Sequence, residues 1–516
     1  LIPMSNQKTL RKISMSEIKK HTAPDDCWVV LNGKVYDLST FHSEHPGGSR
    51  LITNNAGKDA TALFAPIHPK DITERLLPPE ACIGIVDVST VVPDDIVAGK
   101  ESAPPRGNQV ANNTDKNDNN NHAGIYVKPT IDKILNIYDF ESVAANTMTE
   151  EGWGYYSSGA DDEITLRENH TAFQRIWFKP RVMVNVKDVD ISSKILGYNT
   201  SMPVYFTATA LGKLAHKDGE LAISRAANTS KLIYMLPTLS SYTLDEMLEV
   251  RGPDQIQFGQ LYVNAERSRS KEYVEKLENG GCKALFITVD APQLGRREKD
   301  MRNKFTEDAD VQKDDDVQRD EGVAKAISAF IDPSLSWDDL PWFQSITEMP
   351  IVLKGVACGL DAVQAYKYGV QGVVLSNHGG RQLDTARSGI EILPEVVTAL
   401  SNHDPNWRKQ FQVYVDGGVR RGSDIFKALA LGATAVGIGR PVLYSLASYG
   451  QPGIERMVEL LKDELIMCMR LMGCPTIADI TADHVIAKNL DSHIPAQARD
   501  HLHLGVYEPM KSISKL

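Results

Sequence analysis

The chain has 516 residues, too many for one ordinary hydrophobic core, so two or three domains are expected. A hydrophobic content of 42% with 24% charged residues describes a soluble globular protein, and the net charge of -11 argues against a nucleic-acid binder, which carries a basic face. No run of about 18 apolar residues is present, so no membrane-spanning helix is expected.

The chain opens on Leu1, which leads us to expect either an upstream portion or the remnant of a tag, and Met4-Ser5 reads as a candidate start. Neither a signal peptide nor an Arg-rich transit segment is legible. Residues 8–88 read as a small compact unit. The apolar runs Cys27–Leu31 and Lys34–Leu38 flank Asn32-Gly33, a strong signal for a hairpin. His45-Pro46-Gly47-Gly48 follows, and His68 comes 23 residues after His45. Two histidines on separate turns can grip a planar iron porphyrin from both sides, although a bare His-Pro-Gly-Gly is also compatible with an ordinary turn. The context decides. Asp26–Val30, Val35–Leu38, Phe41, His45–Gly48 and Ala56–Thr61 together resemble the cytochrome-b5-type haem domain. The resemblance implies haem b ligated by His45 and His68. A pair of His ligands leaves no open position on the iron, which favours electron transfer over oxygen chemistry.

Residues 89–127 read as a flexible linker. Glu101–Gly124 holds Pro104-Pro105 and an Asn-rich tract but almost no large apolar residue, so it cannot offset its ordering entropy. From 128 to 491, apolar runs alternate with helical stretches. Eight are counted: Pro203–Ala210, Leu232–Leu239, Ile256–Val263, Ala284–Ala291, Ile351–Val356, Gly372–Asn377, Gln412–Gly418 and Ala435–Arg440. Continuous apolar runs suit parallel strands buried on both faces, and the count of eight favours a (β/α)8 barrel over an open doubly wound sheet. The expected fold is therefore α/β, a TIM barrel preceded by a small α+β haem domain. Between the fourth and fifth runs, Glu307–Glu321 carries eight acidic and two basic residues and reads as a solvated loop. The tail 492–516 ends in Ser514-Lys515-Leu516, the peroxisomal address. The six cysteines, Cys27, Cys82, Cys282, Cys358, Cys468 and Cys474, are scattered, so free buried thiols are expected rather than disulfides or a zinc site.

Chemistry in a barrel of this kind sits at the C-terminal ends of the strands, and the polar residues gather there. Thr209 ends the first run, Gln260 and Tyr262 the third, Thr288 and Asp290 the fourth, with Arg297 beyond. Lys354 lies on the fifth run. The sixth opens into Ser376-Asn377-His378-Gly379-Gly380-Arg381, a base and a cation three residues apart. A base beside a carboxylate-binding arginine suits proton removal next to a carboxylate, as in oxidation of a 2-hydroxy acid. The last two runs carry a phosphate signal: Asp416-Gly417-Gly418-Val419-Arg420, then Gly439-Arg440, where backbone N–H groups and arginines can hold an anion. No dinucleotide fingerprint is present, so a flavin mononucleotide (FMN) fits better than a nicotinamide.

These stretches, with Tyr155–Ala160, Gln260–Val263, Thr288–Pro292 and Leu294–Glu298, resemble the FMN-dependent 2-hydroxy-acid oxidase family from about Tyr138 to Tyr507. With the haem unit attached, the whole chain resembles the flavocytochrome b2 type of L-lactate dehydrogenase (cytochrome). The resemblance implies that His378 takes the substrate proton, Asp290 stabilises the resulting imidazolium, Arg381 and Tyr155 bind the carboxylate, Tyr262 bonds the hydroxyl and Arg297 assists. It implies that Thr209, Gln260, Thr288, Lys354, Arg420 and Arg440 contact FMN, with Ser376, Asp416, Gly418 and Gly439 on the same loops. Ala210 and Leu239 match the lactate-type side-chain pocket, whereas Pro237 stands where the pattern has a flavin-contacting Ser. The resemblance further implies a homotetramer, cytochrome c as acceptor and a mitochondrial intermembrane-space location. The C-terminal tripeptide points instead to a peroxisomal oxidase using oxygen.

Overall fold

The computed structural model describes residues 10–45, 49–66, 68–97, 126–303 and 331–493. Pro46-Gly47-Gly48, the Asn-rich tract, the acidic run 307–321 and Ser514-Lys515-Leu516 lie outside the described residues.

The hairpin signal is fulfilled in the first unit. Asn32 and Gly33 take φ of 51° and 77°, the pair of left-handed conformations that matches the twist of Asp26–Leu31 and Lys34–Asp37. These strands belong to a five-stranded sheet. Side chains alternate across it: Cys27, Val29 and Leu31 face Ile52 and Ala56, while Val30 packs with Val35, Ile13 and Met15 on the other face. Short helices Ser49–Thr53, Thr61–Phe64 and Ile72–Leu76 cover the first face. Residues after the last strand return to the same unit, where the Val97 N–H donates to the Asp59 carbonyl and Asp95 pairs with Lys19.

All eight apolar runs of the second unit become strands of one closed parallel barrel. They are β1 (Val204–Phe206), β2 (Ile233–Leu236), β3 (Gln257–Leu261), β4 (Leu285–Thr288), β5 (Ile351–Val356), β6 (Gly372–Leu375), β7 (Gln412–Asp416) and β8 (Ala435–Ile438). β8 closes on β1 with Val436 opposite Val204 and Ile438 opposite Phe206. Each strand is apolar on both sides because both sides are interior. Tyr205, Met235, Phe258, Phe286, Val374 and Tyr414 fill the barrel, while Val204, Leu285, Leu353 and Val413 pack outward on the helices. The hairpin of Ser193–Ile195 and Tyr198–Thr200 inserts Ile195 into the interior cluster, with Leu196 and Tyr198 packed against it, and seals the lower end.

Helices Glu150–Ser157 and Ile164–Gln174 precede the barrel and bring side chains to its upper end. The final helical stretch, Arg440–Met472, kinks at Tyr449-Gly450, where Gly450 has φ of 64°. Among the described residues, no helix is long and apolar enough to cross a membrane. All six cysteines are free. Cys82, Cys358 and Cys468 are only partly buried, unlike the buried Cys27, Cys282 and Cys474.

Candidate active site and haem site

The turn after β6 is built to present one side chain. His378, Gly379 and Gly380 all take positive φ, of 60°, 66° and 77°. A Cβ at Gly380 would come within 2.7 Å of the Leu166 backbone, so the last of these positions has no room for a side chain. His378 is thereby aimed inward, with Nδ1 at 3.1 Å and 3.3 Å from the two Asp290 carboxylate oxygens and Nε2 at 3.0 Å from the Tyr262 hydroxyl. A carboxylate can only accept, so Nδ1 carries the proton and Nε2 presents its lone pair to the cavity. Burial pushes the imidazole below its usual pKa, against the opposite pull of Asp290 and with the help of Lys354 and Arg297. Burial would raise the Asp290 carboxyl, but the pull of the His378 ring and its Nδ1–H bond, with the Lys354 ammonium, hold it below the usual carboxylate range. At neutral pH this is a neutral base backed by an anion. Burial pushes the Tyr262 phenol up to about 12, so it remains a hydrogen-bond donor.

Arg381 stands beside this pair. Its guanidinium lies 4.6 Å from the Tyr155 ring centroid and donates from Nη2 to the Tyr155 carbonyl. Its Nε is buried and has no partner. An orphaned charged donor beside a base is a socket for an anionic group. Arg297, 7% exposed, lies behind it and donates to the Arg381 carbonyl and to Gln382. Ala210 and Leu239 close the apolar side of the same cavity.

That cavity runs from Tyr155 across the top of the barrel to Gly418 and Arg440. Lys354, 5% exposed, sits 3.5 Å from Asp416 and donates to Ser376 at 3.2 Å. Burial would lower its pKa, but the carboxylates of Asp416 and Asp290 hold the ammonium above its usual value. Gln260 donates to the Thr288 hydroxyl at 2.9 Å, so these two brace each other in the wall. The Thr209 hydroxyl and one Asp416 oxygen are buried without partners, as expected of groups that await a polar ligand. At the far end Gly417 and Gly418 take φ of 84° and 85°, and a Cβ on Gly418 would fall 1.7 Å from the Asn169 carbonyl. Gly439 lines the same end. Arg420 pairs with Glu141 at 2.7 Å, while Arg440 donates to the carbonyls of Tyr156, Gly379 and Ser158. A guanidinium has five N–H groups, so Arg440 keeps donors for an anion. Orphaned polar atoms, a cationic end and a buried lysine together fit FMN.

In the first unit, His45 and His68 face each other with ring centroids 6.0 Å apart. A metal–imidazole bond of about 2 Å on each side spans that gap. His68 Nδ1 lies 3.1 Å from the Phe64 carbonyl, which fixes the tautomer that leaves Nε2 for a metal, and burial holds the ring neutral by lowering its pKa. Phe64 stacks on His68 at 4.5 Å. The pair and its aromatic wall fit a haem.

Residues 144–487 match the family model of the FMN-dependent dehydrogenases, and 14–87 match that of the cytochrome b5-like heme/steroid binding domain. The chain belongs to the FMN-dependent dehydrogenase family. An L-lactate dehydrogenase (cytochrome) from Wickerhamomyces anomalus is 45% identical over 494 residues, covering 96% of this chain and 83% of that protein. The enzyme of the same description from Saccharomyces cerevisiae is 43% identical over 505 residues, with the same coverages. A mutant flavocytochrome b2 with pyruvate bound superposes with a TM-score of 0.67 at 44% identity, over 75% of this chain and 95% of that one. As an FMN-dependent dehydrogenase fused to a haem-binding module, the chain carries both cofactors expected of it.

Every cavity residue expected from the sequence lies on the wall except Asp290 and Ser376. Both stand one layer back, Asp290 behind His378 and Ser376 under Lys354 and the His378 N–H. Sequence reasoning missed Tyr156, Asn169 and His170, which come from helices ahead of the barrel. Burial with Arg420 and Arg440 nearby pushes His170 down to about 4, so it is neutral in the wall. Asn169 and Asn377 exchange amide bonds at 3.0 Å and 2.8 Å and fasten the helix to the base-bearing loop.

Proposed function

We propose that this chain oxidises L-lactate to pyruvate and delivers the electrons to cytochrome c. One observation carries the reading: a neutral His378 Nε2, backed by Asp290, opens into the same cavity as the orphaned Nε of Arg381. FMN supplies the two-electron acceptor when bound, and haem b the one-electron relay. The protein's own groups do the rest. Arg381 and Tyr155 hold the carboxylate, Tyr262 orients the hydroxyl, and His378 Nε2 takes the substrate proton. The imidazolium so formed lies against Asp290, while Arg297 keeps the loop of Arg381 in place. Ala210 and Leu239 leave room for a methyl group. The contacts of Lys354, Asp416, Thr209, Gly418, Gly439, Arg420 and Arg440 with the cavity support their assignment to FMN, with Gln260, Thr288 and Ser376 bracing them. His45 and His68 hold the iron. In this reading the haem unit, read from sequence as 8–88, runs on to Val97, the segment from there to 127 links, 128–491 carry the flavin chemistry and 492–516 form a tail, in a homotetramer located in the mitochondrial intermembrane space.

An anaerobic absorption spectrum before and after L-lactate tests the proposal. Bleaching of the flavin band followed by ferrous haem bands is the expected result, and an unchanged flavin refutes it. A second reading rests on Ser514-Lys515-Leu516: a peroxisomal oxidase that passes electrons to oxygen. Imaging the full chain with and without those three residues separates the two, since loss of a punctate pattern on deletion supports the peroxisome.

A further inference from the structure

Thr238 follows β2 and stands between Pro237 and Leu239, both of which line the active-site cavity. It is 2% exposed. Its N–H donates to the Gln260 side chain at 2.9 Å, and its hydroxyl donates to the Gln260 carbonyl at 2.7 Å and accepts from the Tyr262 N–H at 3.0 Å. A buried carbonyl also needs a partner. The partner comes from the haem unit: Arg75, in the last turn of Ile72–Leu76, donates from Nη2 to the Thr238 carbonyl at 2.5 Å.

The surroundings of Arg75 form a socket. Its guanidinium lies 6.0 Å from the Tyr273 ring centroid, and the Tyr273 hydroxyl donates to the Pro237 carbonyl at 3.3 Å. Arg269, on the same helix as Tyr273, donates back to the Arg75 carbonyl. At the rim, the exposed Lys70 lies 3.8 Å from Glu246, a pair that contributes little on its own. The short segment Lys70–Arg75 begins two residues after His68 and, among the described residues, meets the barrel through these contacts with Thr238, Tyr273, Arg269 and Glu246.

We propose that Arg75 is the positioning residue that fastens the haem unit to the flavin unit, with the Thr238 carbonyl as its socket. The wall of the active site is then also the platform on which the haem unit docks. The consequence for electron delivery rests on the function proposed above.

The test uses the full-length holoprotein with Arg75→Met, which keeps the stem and removes the donors, and Arg75→Lys, which keeps the charge and loses the fork. Hydrogen exchange is followed by mass spectrometry in peptides spanning 236–242 and 267–275. Haem and flavin bands are followed after anaerobic mixing with L-lactate. Arg75→Met is expected to lose protection in both segments and to reduce its haem at least tenfold more slowly, with flavin bleaching within twofold of the parent and an unaltered Soret band. Arg75→Lys is expected to fall between. Parent-like protection and haem reduction in Arg75→Met overturn the proposal, as does an altered Soret band, which would mean that Arg75 serves haem binding instead. If L-lactate leaves the parent's flavin oxidised, the functional reading fails, while the exchange result still decides the docking role.

Discussion

Replacing Asp290 with Asn isolates the charge behind the base. The two side chains are isosteric, which matters because a Cβ on Gly355 would lie 2.5 Å from the Asp290 side chain and the site has no slack. The carboxylate contacts His378 Nδ1 at 3.1 Å in a buried setting. For an ion pair separated by about 4 Å at an effective dielectric of about 20, the interaction is about 4 kcal/mol. A charge-assisted hydrogen bond is worth about 1.5–3 kcal/mol net. Losing the anion should therefore raise the barrier by about 2–4 kcal/mol, or about 30- to 1,000-fold in the rate of flavin bleaching by L-lactate. The Asn amide can also donate to Nδ1, which moves the proton to Nε2 and removes the base. The pH profile supplies a second check. His378 must be neutral to accept a proton, so the parent's rate falls as the pH drops through a pKa held below 6.5 by burial. Removing Asp290, which pulls that pKa upward, should shift the acid limb to lower pH. A loss smaller than about tenfold with an unmoved acid limb would refute the role assigned to Asp290.

Arg381→Lys loses both the orphaned Nε and the planar fork, so kcat/KM for L-lactate should fall by about 2 kcal/mol, roughly 30-fold, with most of the change in KM; steady-state kinetics with an artificial acceptor measure it. His68→Ala should abolish the Soret band while leaving flavin bleaching by L-lactate within a few-fold of the parent, since His68 belongs to the haem unit alone. Gly418→Ala drives a methyl against the Asn169 carbonyl and imposes a side chain at φ of 85°, so thermal melting should report destabilisation of about 3 kcal/mol or more together with weakened FMN retention.

The barrel was legible because its strands leave a signal that little else produces. Runs such as Gly372–Leu375 are apolar at consecutive positions, since neighbouring side chains point into two different cores. The runs read from sequence overshoot the paired strands: Thr209 and Ala210 lie beyond β1, and Ser376 and Asn377 beyond β6, because hydrophobicity does not mark where ladder bonds stop and loops begin. Polar residues at strand ends stood out against that background, which is how Asp290 and Lys354 were found. Asn169 and His170 had no such contrast. They sit in an ordinary amphipathic helix; Asn169 joins the site through a contact with Asn377, 208 residues away, and His170 through its place on the cavity wall. Glu220 was missed for a similar reason. It resembles a solvated acid in a helix's first turn, yet it is fully buried, accepts from the Gly212 and Ser241 N–H groups, and has its pKa raised by burial.

The hairpin packed into the lower end of the barrel leaves the cavity at the upper end, and the Thr238 carbonyl that receives Arg75 stands between Pro237 and Leu239 of that cavity's wall. A residue one step from the substrate's pocket is thus also one step from the haem unit. Reshaping the pocket at 237 or 239 therefore also shifts the seat of Arg75, so substrate range and haem docking are tied through one short stretch of backbone.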